Sequence, residues 1–63
     1  MQRASASVTG TGNCESDAIG NARRLAYDFI RANSSSNHYF TIDERCSPGG
    51  SGWVCVLRFE YYL

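Results

Sequence analysis

The C-terminal stretch from Trp53 to Leu63 has the clearest pattern of apolar and polar positions in the chain. It is rich in aromatic and β-branched residues and contains no Gly or Pro, which predicts one long strand. Because successive side chains of a strand point to opposite faces, the odd-numbered positions predict a core-facing row. That row consists of Trp53, Cys55, Leu57, Phe59 and Tyr61. The even-numbered positions mix apolar and charged residues and predict the opposite, more polar face.

Residues 4–11 predict a first strand. Its inner positions are small, namely Ala4, Ala6, Val8 and Gly10. We therefore expect bulky groups to lie over this strand, and the aromatic side chains elsewhere in the chain are the candidates. The cluster Gly10-Thr11-Gly12-Asn13 ends the strand, and Asn13 or Ser16 is expected to cap the helix that follows.

The helix is predicted from about Glu15 to about Ala32. Apolar residues recur there at spacings of three and four, which indicates an amphipathic helix. This apolar stripe contains Ala18, Ile19, Ala22, Leu25, Ala26, Phe29 and Ile30. On the opposite side, Arg24 and Asp28 are four residues apart and are expected to pair. Gly20 is unfavourable in a helix interior, so we expect it to allow close approach to the sheet or to a neighbouring chain.

A second strand is predicted from Tyr39 to Cys46, with Phe40 and Ile42 facing the core. The segment Ser47–Gly52 is a strong turn signal. A turn centred on Gly49 and Gly50 would place Ile42 opposite Leu57, and Phe40 opposite Phe59. The inward rows of the two strands would then coincide, as cross-strand packing requires.

The fold class predicted from this order is α+β. The whole chain, residues 1–63, is predicted to form a single β-α-β-β domain with a three-stranded sheet in the order 1-3-2 and one helix on one face. Its 63 residues are too few for a large core, so a partner subunit is the expected source of extra stability. The open face of the sheet is the predicted interface, and its candidate residues are Val54, Val56, Arg58 and Tyr62.

The three cysteines, Cys14, Cys46 and Cys55, cannot all pair within one chain. In the register above, Cys46 lies opposite Trp53 and Cys55 opposite Glu44, so a bridge between the two cysteines is not favoured. The spacing does not resemble a metal site. The N-terminus lacks an apolar signal segment, and no stretch is long enough to span a membrane, so we expect a cytoplasmic protein with reduced thiols.

Charge and motifs point away from several functional classes. Six Arg balance six acidic residues, so the chain lacks the basic surplus of a general nucleic-acid binder. The Gly10-Thr11-Gly12 turn suits a tight strand-to-helix connection better than a phosphate site, because Glu15 stands near the helix start. His38 is expected to be an exposed loop residue. With no paired carboxylates, nucleophile elbow or ligand cluster, we do not expect an enzyme.

The chain also resembles the dodecins, small bacterial flavin-binding proteins of strand-helix-strand-strand topology. The resembling segments cover nearly all of the chain: Val8–Gly12, Ser16–Ile19, Tyr39–Glu44 and Trp53–Phe59. The resemblance implies a homo-oligomer, since the family assembles into a hollow dodecamer and stacks flavins between aromatic side chains. The family's stacking Trp falls on Tyr39, and its flavin-contacting Gln falls on Val54, which cannot hydrogen-bond a flavin ring. The resemblance therefore supports the fold and self-association better than it supports flavin as a cofactor.

Two hypotheses for function follow. The first is a non-enzymatic module that self-associates through its open sheet face and holds a planar aromatic ligand, such as a flavin, near Tyr39, Trp53 and Arg45. The second is a small phage or mobile-element protein that docks on a host protein as an inhibitor or adaptor. Single-stranded nucleic-acid binding by exposed aromatic and Arg side chains is a weaker third hypothesis.

Overall fold

The predicted fold is confirmed by a computed structural model that describes residues 2–36 and 38–63. The chain forms β1 (Arg3–Gly12), α1 (Glu15–Asn33), β2 (Tyr39–Gly49) and β3 (Gly52–Tyr62). The three strands make one sheet in the order β1-β3-β2, and both outer strands run antiparallel to β3. The most apolar strand, β3, therefore lies in the centre, with α1 packed on one face of the sheet.

The core lies between β3 and the helix, as the alternation of β3 predicts. Leu57 and Phe59 are 1% and 0% exposed, whereas Val56, which precedes Leu57 and points to the other face, is 39% exposed. The helix contributes a buried row at spacings of four, consisting of Ala18, Ala22, Ala26 and Ile30. Phe29 joins the core through edge-to-face contacts, with ring centroids 5.8 Å from Phe59 and 5.2 Å from Tyr61.

The small residues of β1 allow the helix backbone itself to approach the sheet. A side chain on Gly10 would lie 2.3 Å from the backbone nitrogen of Ala22 and 2.4 Å from the carbonyl oxygen of Ala18. Gly12 also lies close to the start of the helix, since a Cβ there would meet the Ala18 nitrogen at 2.7 Å. The expectation that aromatic side chains cover this end of β1 is therefore wrong, because the first turns of the helix occupy that space.

Three expectations for the helix itself are also corrected. Its N-cap is Cys14, which makes no side-chain capping bond, so neither Asn13 nor Ser16 has the predicted role. Gly20 is exposed, and a Cβ at this position would have no atom within 4 Å. The glycine is therefore not required for close packing within the chain. Arg24 and Asp28 form no ion pair within the part of the chain that the structure describes.

The predicted pairing of β2 with β3 is wrong in register. Gly49 pairs with Gly52, so the turn consists of Gly50 and Ser51, and Gly50 adopts a φ of 60° that suits glycine. The turn therefore lies one residue later than predicted. An irregularity between Thr41 and Asp43 then adds a residue to β2, which reverses the alternation in the first part of the strand.

This reversal exchanges the two faces at the start of β2. Tyr39 points inward and packs against Phe59, with ring centroids 5.5 Å apart. Phe40 lies opposite Glu60 and packs edge-to-face on Tyr62 of the outer face, with ring centroids 5.6 Å apart. Phe40 and Ile42, both predicted to be buried, are instead 41% and 48% exposed.

The glycine contacts predict opposite effects for two Gly-to-Ala substitutions. Gly10→Ala forces a methyl group into the helix backbone and is expected to lower the free energy of unfolding by about 1–3 kcal/mol. Gly20→Ala, the matched control in open space, is expected to raise it by about 0.5–1 kcal/mol, because Ala is the better helix former. Urea unfolding monitored by circular dichroism measures both. Equal effects of the two substitutions would contradict the close packing of α1 on β1.

Candidate functional site: the open sheet face

The sheet face opposite the helix, here called the open face, carries the predicted interface residues. Val54, Val56, Arg58 and Tyr62 form one row along β3, together with Glu60. On one side, β1 places Arg3, Ser5, Ser7, Thr9 and Thr11 beside this row. On the other side, β2 contributes Phe40, Asp43, Arg45 and Ser47. All four interface residues predicted from sequence are thus brought together on one surface.

One corner of the open face is an aromatic and cationic cluster that the sequence did not indicate. The Arg3 guanidinium lies 4.7 Å from the ring centroid of Phe40 and 5.5 Å from that of Tyr62. It also reaches a Glu60 carboxylate oxygen at 3.3 Å. The Tyr62 hydroxyl and, to a smaller extent, the Glu60 carboxylate raise the pKa of Arg3 above its ordinary value. Arg3 therefore remains a cation at this corner.

The middle of the open face holds charges of both signs. Arg58 lies directly opposite Asp43 on β2 and Ser7 on β1. The Asp43 carboxylate, however, pairs with Arg45 at 2.8 Å, and Arg58 has no ion pair within residues 2–36 and 38–63. The exposed Arg58 side chain lies beside exposed Val56, so the surface is partly apolar and partly charged, as transient and homomeric interfaces often are.

The three residues predicted to hold a planar ligand do not meet within one chain. Tyr39 is half-buried and pairs with Tyr61, whereas Trp53 pairs with Gly12 and Pro48 at the other end of β3. Eight residues of strand between positions 53 and 61 correspond to about 26 Å. Arg45 lies opposite Val56 on the open face, away from the core-facing Trp53. A ligand held by all three would need more than one copy of the chain.

Cys46 and Cys55 form a disulfide, contrary to the expectation of reduced thiols. The two residues are direct partners in the β2–β3 ladder, with Cα atoms 4.0 Å apart and an S–S distance of 2.08 Å. The later turn position produces this alignment, because it moves Cys46 from Trp53 to Cys55. Cys55 is fully buried, and Cys14 is an exposed free cysteine. A turn at Gly50-Ser51 was the signal that could have revealed the pair.

The disulfide borders a shallow cleft between the helix and β2. The cleft has a volume of about 520 Å³ and is lined by Glu15, Ser16, Ile19, Arg23, Glu44 and Cys46. An ion pair of 3.1 Å between Arg23 and Glu44 spans it. Arg23 and Glu44 offset each other's charge, and Glu15 is the one lining carboxylate without an ion pair within residues 2–36 and 38–63.

The remaining candidate sites from the sequence are the glycine turn, His38 and a metal site. Gly10 and Gly12 contact the helix backbone, so these glycines are required for packing whether or not an anion binds. His38 is exposed, as predicted. No group of three or more His, Cys, Asp or Glu suited to a metal ion occurs among the residues that the structure describes. Within residues 2–36 and 38–63, no helix has the length and apolar character needed to cross a bilayer.

Comparison with known proteins adds no family assignment. No protein-family model, curated protein or solved structure matches the chain. The dodecin resemblance therefore stays a prediction, and the function must be argued from the open face and the edges of the sheet.

Reduction of the disulfide is expected to destabilise the fold. The bridge closes a loop with a sequence separation of 9 residues, and chain entropy for such a loop corresponds to about 2–3 kcal/mol. Thermal unfolding with and without a phosphine reductant measures the loss. Cys14→Ser is the control, since it leaves the bridge intact and should show the same reductant effect. A native protein with three titratable thiols would contradict the bridge.

Proposed function

We propose that the protein is a non-enzymatic assembly module that associates with further copies of itself through the open face. The observation that carries this proposal is the uncovered row of Val54, Val56 and Tyr62 on the side away from the helix. Val56 is 39% exposed, and Phe40 beside this row is 41% exposed. A chain this small gains little from its single core, so burial of this second apolar surface is a substantial further stabilisation.

The dimensions of the molecule suit such an interface. The Cα atoms extend over 41 × 17 × 14 Å. A face spanning the long axis therefore has an area on the order of 600 Å², somewhat below the ~800 Å² per partner of a standard interface. Charges of both signs lie on the same face, at Arg58 and Glu60. They allow two copies to meet with opposite charges in register and disfavour a simple like-charge repulsion.

A planar aromatic ligand such as a flavin would bind only to the assembled protein, at a site formed by more than one copy of the chain. Tyr39 and Trp53 lie at opposite ends of β3 in one chain, so only neighbouring copies can bring such residues together. The resemblance to dodecins supports this arrangement, but Val54 at the position of the family's Gln removes one hydrogen bond to the ring. Titration with riboflavin, followed by quenching of its fluorescence, tests the ligand separately from the assembly.

The predicted cytoplasmic location depends on the state of the disulfide. Disulfides are rare in the cytosol, so a cytoplasmic protein would hold Cys46 and Cys55 mostly as thiols. Alkylation of free thiols in intact cells, followed by mass spectrometry, distinguishes the disulfide from the reduced thiols. Three alkylated cysteines support the cytoplasmic location, and protection of Cys46 and Cys55 contradicts it.

The open-face interface makes a direct prediction for solution mass. The wild-type protein is expected to sediment well above its monomer mass of 7.0 kDa at micromolar concentration. Val56→Glu replaces an apolar side chain by a carboxylate that would lose its hydration in the interface, and it is expected to weaken association by at least about tenfold. Sedimentation velocity over a concentration series measures the change.

Tyr27→Glu provides the matched control. Tyr27 is 46% exposed, comparable with Val56, but lies on the helix. Its substitution is expected to leave association unchanged. A wild-type protein that remains monomeric throughout the series, or equal effects of the two substitutions, would refute the open-face interface. A monomer that instead forms a discrete complex with a host protein would favour the adaptor hypothesis.

A further inference from the structure

The two free edges of the sheet differ in how they are protected against pairing with another strand. The edge of β2 has an irregularity between Thr41 and Asp43, a proline at Pro48, and the charged run Asp43-Glu44-Arg45. Bulges, prolines and charges are the features by which edge strands avoid unwanted pairing. The β2 edge is therefore a poor template for a further strand.

The edge of β1 has none of these features. Its ten residues, Arg3–Gly12, pair with β3 without a register shift and contain no proline. Arg3, the first residue, is its only charged side chain. A long, regular and nearly uncharged edge is the kind that pairs with another strand.

Two hydrogen bonds show which backbone groups of β1 point outward. The N–H of Leu63 donates to the carbonyl of Gln2 at 3.0 Å. Because bonded pairs alternate along an antiparallel ladder, the even-numbered residues of β1 are the ones that hydrogen-bond to β3. The Thr11 carbonyl instead accepts a bond of 2.6 Å from the Asn21 side chain of the helix. The odd-numbered residues therefore direct their N–H and C=O groups away from β3. At Ser5, Ser7 and Thr9, these groups have no partner within residues 2–36 and 38–63.

We propose that the partner of this edge is β1 of a second copy, paired antiparallel about a two-fold axis at Ser7. Ser5 then lies opposite Thr9, so that outward-pointing groups meet in hydrogen-bonded pairs. The pairing joins two three-stranded sheets into one six-stranded sheet. The helix-side faces of the two sheets then form one continuous face, because Ala6 of one copy lies opposite Val8 of the other on that side.

The helix flank above this edge fits a second copy as well. Asn21 marks the flank, since it bonds to Thr11, and Arg24, Leu25 and Asp28 follow it at spacings of three, four and seven. Leu25 is 43% exposed although it belongs to the apolar stripe. The same flank thus offers an apolar side chain and two opposite charges that are not paired with each other within the described chain.

The two-fold axis brings these groups together in complementary pairs. The helix runs antiparallel to β1, and Gly10 lies level with the segment between Ala18 and Ala22. Three strand residues cover about as much length as six to seven helical residues, so Ser7 lies level with a position near Ala26. The axis then sets Arg24 of each copy against Asp28 of the other, with the two Leu25 side chains between the helices.

A proline substitution tests the pairing without disturbing the sheet within one chain. The N–H of Ser7 points away from β3, so Ser7→Pro removes a donor only from the free edge. It is expected to weaken the edge dimer by at least about tenfold. Ser7→Ala keeps the N–H and is the control, with no change expected. Sedimentation velocity and circular dichroism report the association and the retention of the fold.

Charge reversal at the helix flank is a second test that leaves the backbone intact. Arg24→Asp and Asp28→Arg are each expected to weaken association, because each places like charges across the axis. The double variant Arg24→Asp/Asp28→Arg is expected to restore it. Failure of the double variant to restore the mass of the wild type, or an unchanged mass for Ser7→Pro with its fold retained, overturns the edge pairing.

Hydrogen exchange separates this interface from the open face. The amides of Ser5 and Thr9 are expected to exchange slowly in wild type and rapidly in Ser7→Pro, which lacks the N–H that pairs at the two-fold axis. Val56→Glu, in contrast, is expected to leave these amides protected. Rapid exchange of Ser5 and Thr9 in the wild-type protein overturns the edge dimer, whatever the outcome for the open face.

Discussion

The α1 backbone lies in direct contact with the glycine end of β1, and this contact sets the position of the helix and of the core. Because Gly10 and Gly12 have no side chains, Ala18 and Ala22 lie directly on the strand. The helix is therefore fixed close to β1 and β3, and its small buried row leaves room for the large side chains of β3. Leu57 and Phe59 fill that room and make the only substantial core of the described chain.

This placement leaves β2 as the strand that the helix covers least. The helix reaches it through the Arg23–Glu44 ion pair, while Phe40 and Ile42 remain exposed. Ion pairs between exposed side chains contribute little, typically under about 1 kcal/mol. The disulfide between Cys46 and Cys55 therefore has a clear structural role, since it fastens the weakly covered strand to the centre of the sheet.

The open face and the β1 edge are complementary surfaces rather than competing explanations. One presents side chains and the other presents backbone hydrogen-bonding groups, so one chain can use both at the same time. An edge dimer doubles the width of the sheet and thereby the area of a continuous open face. Edge pairing through Ser7 would therefore strengthen any stacking through Val56, because each stacked contact would then involve a larger surface.

The element order, the amphipathic helix and the faces of β3 can be predicted from the sequence alone, because each rests on a local periodicity of apolar residues. The sequence also identified the row from Val54 to Tyr62 as the uncovered one. The register of β2, the Cys46–Cys55 bridge and the inward position of Tyr39 become evident only in the folded chain. Local patterns do not define these features, because a glycine-rich turn can close at more than one position. One extra residue at an irregularity then reverses every side chain beyond it.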